Sequence, residues 1–224
     1  MTLSCCVKQN MNYCWVFDLD DTLHNARKYI FPFLHKSMNE YIRTHLNIEE
    51  KAAGELRRHY WLKYGATLNG LIRHHGTNPM DFLRATHQLP DARKMIVRPA
   101  GIREMFRRLP GRKIIFSNSP RDYAEVILNH LGLRTYLDAV YTIEDTSYRG
   151  KPDTRSYRGL IADLHLNPAR CIMVEDSLEN LRTAKRLGMK TLWISKASKT
   201  PGFIDARISS LDKLNRIHRL KGFY

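Results

Sequence analysis

Short apolar runs alternate with single helix-like segments through the second half of the chain, and this alternation constrains the fold more than any other feature. The runs KIIF, CIMV and TLWI are rich in β-branched residues and too short for buried helices, which is typical of strands. Segments with helical spacing occupy 121–131, 154–164 and 177–187. Strands that alternate with single helices predict right-handed β-α-β units, and therefore an α/β fold with a doubly wound parallel sheet.

A region of different texture follows the first predicted strand, Cys14–Leu19. From about Tyr29 to Thr86 helical spacing dominates and strand signals are nearly absent. Two long helices are predicted over 31–46 and 49–64, whereas the stretch GATLNGLIRHHG is expected to be less regular. Farther on, Asn78-Pro79 predicts another helix start, with asparagine as the N-cap and proline at the first helical position.

This change of texture predicts the domain organisation. We expect a discontinuous Rossmann-like core made of residues 11–25 and 96–224, with a small all-helical domain inserted at 26–95. Residues 1–10 match no later segment and are expected to form a disordered N-terminal extension. No signal peptide is expected there, and no apolar run approaches the roughly 20 residues of a membrane-spanning helix. We therefore predict a cytoplasmic protein with no membrane partner.

Polar residues follow the predicted strands at their carboxyl ends, which is where ligands bind in doubly wound sheets. These residues are Asp18 and Asp20 after the first strand, Ser117 and Asn118 after KIIF, Lys151 in the loop RGKPD, and Glu175 and Asp176 after CIMV. Several carboxylates at one sheet edge repel each other, and a divalent cation removes that cost. Hard oxygen ligands suit Mg²⁺, which usually also binds a substrate phosphate. Serine, a neighbouring backbone N–H and lysine bind phosphate oxygens, so the set predicts a phosphoryl-transfer site.

The motifs DLDDT, FSNS, GKPD and VEDSLEN resemble those of the haloacid dehalogenase-like hydrolase superfamily over about Trp15 to Ser195. The resemblance implies that Asp18 is the nucleophile, forming an aspartyl-phosphate, and that Asp20 is the general acid and base. The family's dehalogenases lack this second aspartate, so its presence favours hydrolysis of phosphate esters. The resemblance also implies a set of ligand-binding residues, with Ser117, Asn118 and Lys151 on the phosphoryl group, and Asp18, Asp176, Glu175 and the backbone carbonyl of Asp20 around Mg²⁺. Asp21 is expected to be a loop carboxylate rather than a ligand.

The helical insertion resembles the small helical cap of the family's first cap subfamily, which closes over the site. Its segment YWLKYGATLNGLIRHHGTNPMDFLRATH is similar to the pyrimidine 5'-nucleotidase branch. This similarity implies hydrolysis of UMP and CMP to nucleoside and phosphate, with Tyr64 and His74 as substrate contacts. Aromatic and histidine side chains of the segment can stack on a base or bond its edge. The alternative for Trp61 and Tyr64 is that their helical spacing places them in the apolar core of the cap.

Two other functions stay open at this level. The first is a phosphatase or phosphomutase acting on sugar phosphates or phosphoglycolate, because the cap rather than the core decides the substrate. The second is a nucleic-acid-binding protein that uses the formal net charge of +15. The basic residues are scattered over predicted helix faces, which favours a solvated surface that attracts anionic substrates, so no nucleic-acid partner is expected. The sequence predicts no oligomeric state.

Overall fold

A computed structural model describes residues 13–214 of the chain and contains one six-stranded parallel sheet. The strand order across the sheet is β3-β2-β1-β4-β5-β6. The strands are β1 (Cys14–Phe17), β2 (Arg112–Phe116), β3 (Ala139–Tyr141), β4 (Cys171–Glu175), β5 (Lys190–Ile194) and β6 (Ala206–Ile208). The predicted N-terminal extension, residues 1–10, lies outside the described residues.

Nine α-helices accompany the strands in the described range. The first four are α1 (Ile30–Leu46), α2 (Glu50–Tyr64), α3 (Thr67–His75) and α4 (Pro79–Thr86). The others are α5 (Ala92–Met95), α6 (Ile102–Arg108), α7 (Arg121–Leu131), α8 (Thr154–Asp163) and α9 (Leu178–Arg186). None of the helices within 13–214 is long and apolar enough to cross a membrane.

Alternation along β1 divides the core into two layers. Trp15 and Phe17 point to one face and pack with residues of α6 and α7, such as Phe106. Val16 points to the other face and packs with residues of α8 and α9, such as Tyr157. Side chains alternate across a strand, so a strand buried on both faces reads as a continuous apolar run. The predicted doubly wound α/β core is therefore confirmed.

The prediction that the stretch GATLNGLIRHHG is less regular is wrong, because most of it forms helix α3. Leu68 and Leu71 of this helix are buried in an apolar cluster with residues of α1, α2 and α4. Gly70 weakens the helical signal, yet it is the residue that lets the helices approach: a Cβ there would lie 2.2 Å from Cγ of Tyr60. Packing against the neighbouring helix thus outweighs the low helix propensity of glycine.

Helices α1–α4 form a layer of their own, but apolar contacts join it to the core. Ile30 and Leu34 at the start of α1 belong to the core cluster on one face of the sheet. In the other direction, Ile143 and Tyr148 from the loop after β3 pack on the cluster of α1–α4. The domain limits 26–95 stay a prediction. Asn78 caps α4 as predicted, because its side chain accepts hydrogen bonds from the backbone N–H groups of Met80 and Asp81.

Candidate active site

A buried lysine lies between two carboxylates at the carboxyl edge of the sheet. Lys151 Nζ donates to Asp18 Oδ1 at 2.7 Å and to Glu175 Oε2 at 2.8 Å. The side chains of Lys151 and Glu175 are only 1% and 2% exposed. Burial and the nearby Asp18 raise the pKa of Glu175 to about 8, while the two carboxylates hold the pKa of Lys151 above its usual value despite burial. One cation therefore faces two buried carboxylates, and burial together with their mutual repulsion disfavours ionisation of both.

Strand register brings these groups together. Phe17 of β1 pairs with Val174 of β4, and the Asp18 backbone N–H donates to the Val174 carbonyl at 3.0 Å. Asp18 therefore leaves its strand beside Glu175. This placement follows from the parallel pairing of two short apolar runs whose carboxyl ends meet at one edge.

The side chain of Asn118 positions the loop that carries Lys151. Its Oδ1 accepts from the Lys151 backbone N–H at 2.6 Å, and its Nδ2 donates to the Lys151 carbonyl at 2.8 Å. The loop passes so close that a Cβ at Gly150, whose φ is +66°, would lie 2.9 Å from Asn118 Oδ1. The amide group of Asn118 is thus engaged in the fold, and its backbone N–H is the group left for the predicted phosphate contact.

Ser117 lies buried at the end of β2, next to this loop. Its Oγ accepts a hydrogen bond from the Ser119 backbone N–H at 3.0 Å. This bond uses a lone pair and leaves the hydroxyl proton available. Ser117 therefore has a donor to offer, and its contact with a phosphoryl oxygen stays a prediction.

Three carboxylates form a cluster that suits a divalent cation. Asp18, Glu175 and Asp176 each offer one oxygen, and these oxygens lie within 4.8 Å of one another. Burial and the neighbouring Asp18 raise the pKa of Asp176 to about 6. The hard oxygen donors fit Mg²⁺, and a cation would relieve the repulsion among these carboxylates when they are ionised. The carboxylate of Asp20 is not part of this cluster.

Arg27 is a neighbour of the cluster that the sequence pattern did not indicate. Its Nη2 donates to Asp176 Oδ2 at 2.9 Å, and its guanidinium also forms an ion pair with Asp21. The Arg27 side chain is 72% exposed, so solvent screens both interactions. As predicted, Asp21 serves the loop: its φ is +61° and its Oδ1 accepts from the Arg27 backbone N–H at 3.0 Å.

The carboxylate of Asp20 accepts three hydrogen bonds from other side chains. Oδ1 accepts from the Tyr123 hydroxyl at 2.5 Å and from His24 Nε2 at 3.0 Å, and Oδ2 accepts from the Ser119 hydroxyl at 2.7 Å. Burial by itself would raise the pKa of Asp20, but its interactions with His24, Tyr123 and Ser119 outweigh burial and lower it. None of these three partners was a predicted site residue. Only Ser119 stood inside a quoted motif, FSNS.

The predicted substrate residues of the cap pair with each other. The Tyr64 hydroxyl lies 2.6 Å from His74 Nε2, and the Tyr60 hydroxyl lies 2.8 Å from His75 Nε2. Trp61 is 57% exposed and so does not belong to the cap's apolar core, whereas Tyr64 packs partly against it.

The Tyr64 end of α2 approaches the loop that carries Lys151. Asn69 Nδ2 donates to the Tyr64 carbonyl at 3.2 Å and lies 3.5 Å from the Arg149 carbonyl. A Cβ at Gly65 would lie 3.7 Å from Cδ of Pro152. These contacts bring the neighbourhood of Tyr64 close to the sheet edge with the carboxylates.

Known proteins share sequence and fold with this chain. A family profile described as haloacid dehalogenase-like hydrolase matches residues 15–194. Validoxylamine A 7'-phosphate phosphatase of Streptomyces hygroscopicus subsp. limoneus is 39% identical over 75 residues, covering 34% of this chain and 35% of that protein. Hexitol phosphatase B of Escherichia coli (strain K12) is 30% identical over 102 residues, covering 44% and 46%. The chain thus spans less than half of the length of these curated relatives.

The fold also has solved counterparts. The crystal structure of a HAD phosphatase from Thermococcus onnurineus superposes with a TM-score of 0.66 and covers 92% of this chain and 98% of its own. The two sequences are 22% identical, so this likeness concerns the fold.

Proposed function

Because the chain belongs to the haloacid dehalogenase-like hydrolase family, we propose that it is a Mg²⁺-dependent phosphatase of small phosphate monoesters. Its preferred substrates are pyrimidine nucleoside 5'-monophosphates, UMP and CMP. The observation that carries the proposal is the buried contact of 2.7 Å between Lys151 Nζ and Asp18 Oδ1. A carboxylate held by a buried cation at the open edge of a parallel sheet is placed to act as a nucleophile.

The reaction proceeds in two displacements on phosphorus. An Asp18 oxygen attacks the phosphorus atom, the bond to the ester oxygen breaks, and Asp20 gives a proton to the departing oxygen. Water then attacks the aspartyl-phosphate, Asp20 takes a proton from it, and the bond to the Asp18 oxygen breaks. The products are an alcohol and inorganic phosphate, and both aspartates return to their starting states.

Residues around Asp18 stabilise the charge that develops in these steps. Lys151 and the Ser117 hydroxyl donate to phosphoryl oxygens, together with the backbone N–H of Asn118. Asp18, Glu175 and Asp176, with the backbone carbonyl of Asp20, are the residues that would hold Mg²⁺. When bound, the ion supplies positive charge that stabilises the phosphoryl oxygens and relieves the repulsion among its ligands.

The preference for pyrimidine nucleotides depends on the cap. The ring pairs Tyr64–His74 and Tyr60–His75 lie close together, with the Tyr60 and His74 rings stacked at 5.4 Å. Such a group offers an aromatic face and polar edges to a base. The contacts of the Tyr64 end of α2 with the loop of Lys151 support a position near the reacting phosphate.

A sugar phosphate is the second candidate substrate. The two relatives named above are called a validoxylamine A 7'-phosphate phosphatase and a hexitol phosphatase. They match only part of this chain, and the cap rather than the core selects the substrate. This candidate therefore predicts the same chemistry with a different ester.

The test is phosphate release with Mg²⁺ from UMP, CMP, dUMP, AMP, GMP and several sugar phosphates. Asp18→Asn keeps the size of the side chain and removes the nucleophile, so we expect it to fold normally and to release no phosphate. Preference for pyrimidine monophosphates supports the full proposal, and preference for sugar phosphates replaces the substrate while keeping the mechanism. Activity of Asp18→Asn close to that of the wild type would overturn the nucleophile assignment.

A further inference from the structure

The surroundings of Asp20 restrict where its carboxylate can exchange a proton. Oδ1 accepts two hydrogen bonds, from the Tyr123 hydroxyl and from His24 Nε2, and Oδ2 accepts one from the Ser119 hydroxyl. An ionised carboxylate offers about four lone-pair sites. Three are occupied, and the one that remains is on Oδ2.

We propose that His24, Ser119 and Tyr123 are positioning residues that direct proton transfer in the reaction to this single lone pair of Asp20 Oδ2. The inference rests on the proposed function and deepens it. It assigns to three residues outside the predicted site a role in orienting the general acid and base.

The three donors are themselves held in place. The His24 side chain is 0% exposed, and an ionised carboxylate only accepts, so the His24 proton that faces Asp20 must lie on Nε2. Its other ring nitrogen, Nδ1, is buried and has no hydrogen-bond partner within residues 13–214. No second hydrogen bond offsets the cost of burying this nitrogen. This favours a functional role for the hydrogen bond between His24 Nε2 and Asp20.

Tyr123 and Ser119 are equally constrained. Tyr123 is buried in α7, and its ring meets that of His87 edge to face, with centroids 5.8 Å apart. Ser119 is buried, and its backbone N–H donates to Ser117 Oγ. Ser119 thus connects Ser117, the proposed phosphate-binding residue, to Asp20, the proposed general acid and base. A shift of one group moves the other.

The chemical consequence is selective for the leaving group. Phosphorylation of Asp18 by a nucleoside monophosphate expels an alkoxide, which needs the proton from Asp20. With 4-nitrophenyl phosphate the departing phenolate is stable without protonation. A misoriented Asp20 therefore slows the first reaction and spares the second.

The experiment compares kcat/KM for the two kinds of ester, because this quantity reports the steps up to departure of the leaving group. Tyr123→Phe removes one donor and keeps the ring. General acid catalysis contributes about 10²- to 10⁴-fold to the rate. Loss of one of the three donors should therefore lower kcat/KM about tenfold for UMP or another alkyl phosphate. For 4-nitrophenyl phosphate we expect a change below about twofold.

Tyr157→Phe is the matched control. Tyr157 is also fully buried beside the sheet, but its hydroxyl donates to the Asn180 carbonyl at 2.9 Å rather than to Asp20. Its loss should affect both esters alike. Ser119→Ala should reproduce the selective loss, and Ser119→Thr, which keeps the hydroxyl, should restore the rate.

The outcomes separate this inference from the proposed function. If Tyr123→Phe and Ser119→Ala leave both esters unchanged, or slow them equally, these residues support only the fold and the inference is overturned. Such a result, obtained with an active wild type and an inactive Asp18→Asn variant, leaves the proposed function standing. A wild-type protein that hydrolyses neither ester overturns both.

Discussion

Replacing Lys151 by methionine removes the buried cation and keeps most of the side-chain volume. Asp18 and Glu175 would each lose a charge-assisted hydrogen bond, of 2.7 and 2.8 Å. Bonds of this kind contribute about 1.5–3 kcal/mol each, and breaking a buried ion pair costs about 3–5 kcal/mol. We expect Lys151→Met to lower the free energy of unfolding by about 4 kcal/mol at pH 8. At roughly 2–4 °C per kcal/mol for a chain of this size, Tm falls by about 12 °C.

The difference in free energy of unfolding between Lys151→Met and the wild type should decrease as the pH falls. Burial already raises the pKa of Glu175 to about 8 with Lys151 present, and losing the lysine raises it further. A carboxyl group whose pKa is higher in the folded than in the unfolded state binds protons preferentially when folded, so the stability lost at high pH returns as pH falls toward 5.

The assay is urea denaturation with EDTA at pH 8 and pH 5. Lys196→Met, at an exposed lysine, serves as the control and should change stability by less than about 0.5 kcal/mol. A Lys151→Met variant within about 1 kcal/mol of the wild type at pH 8, or a deficit independent of pH, would refute the reasoning about the buried charge.

Three further predictions concern the metal ligands, the cap and His87, a partly buried histidine. Since the pKa of Glu175 is about 8 and that of Asp176 about 6 without metal, Mg²⁺ binding at pH 7 should release about one proton. Calorimetry in buffers of different ionisation enthalpy measures this, and a buffer-independent heat contradicts it. Gly70→Ala places a Cβ 2.2 Å from the Tyr60 ring and should lower the free energy of unfolding by about 1–3 kcal/mol, as measured by denaturant melts. An unchanged midpoint would contradict the close packing of α3 on Tyr60. Burial lowers the pKa of His87 to about 4 from 6.5. The free energy of unfolding of the wild type should therefore fall by up to about 3 kcal/mol relative to that of His87→Phe between pH 6.5 and 4. Denaturant melts across this range measure it, and an equal pH dependence of the two proteins refutes it.

Strands β1, β2, β4 and β5 were predictable because each contains an apolar run that is buried on both faces. KIIF, CIMV and TLWI all lie within observed strands. Helix α3 and strand β6 were not predictable in this way. Gly70 and a histidine pair obscure the periodicity of α3, and its packing on Tyr60 stabilises the helix. Strand β6 has three residues, Ala206–Ile208, too few for a pattern, and its pairing with β5 stabilises it.

The sequence by itself determined which reactive groups stand at the carboxyl ends of the strands. Alternating strands and helices force a parallel sheet, and parallel strands bring their carboxyl ends to one edge. Asp18, Lys151 and Glu175 therefore meet as expected, although 133 residues separate the first two.

Only the tertiary structure decided which contacts each side chain at that edge makes. Asn118 bonds the backbone of Lys151, 33 residues away, and Asp20 accepts from Ser119 and Tyr123, 99 and 103 residues away. The direction in which a loop side chain points depends on the donors and acceptors that other loops bring within about 3 Å. That information lies in the packing of distant segments, and no local pattern of residue types contains it.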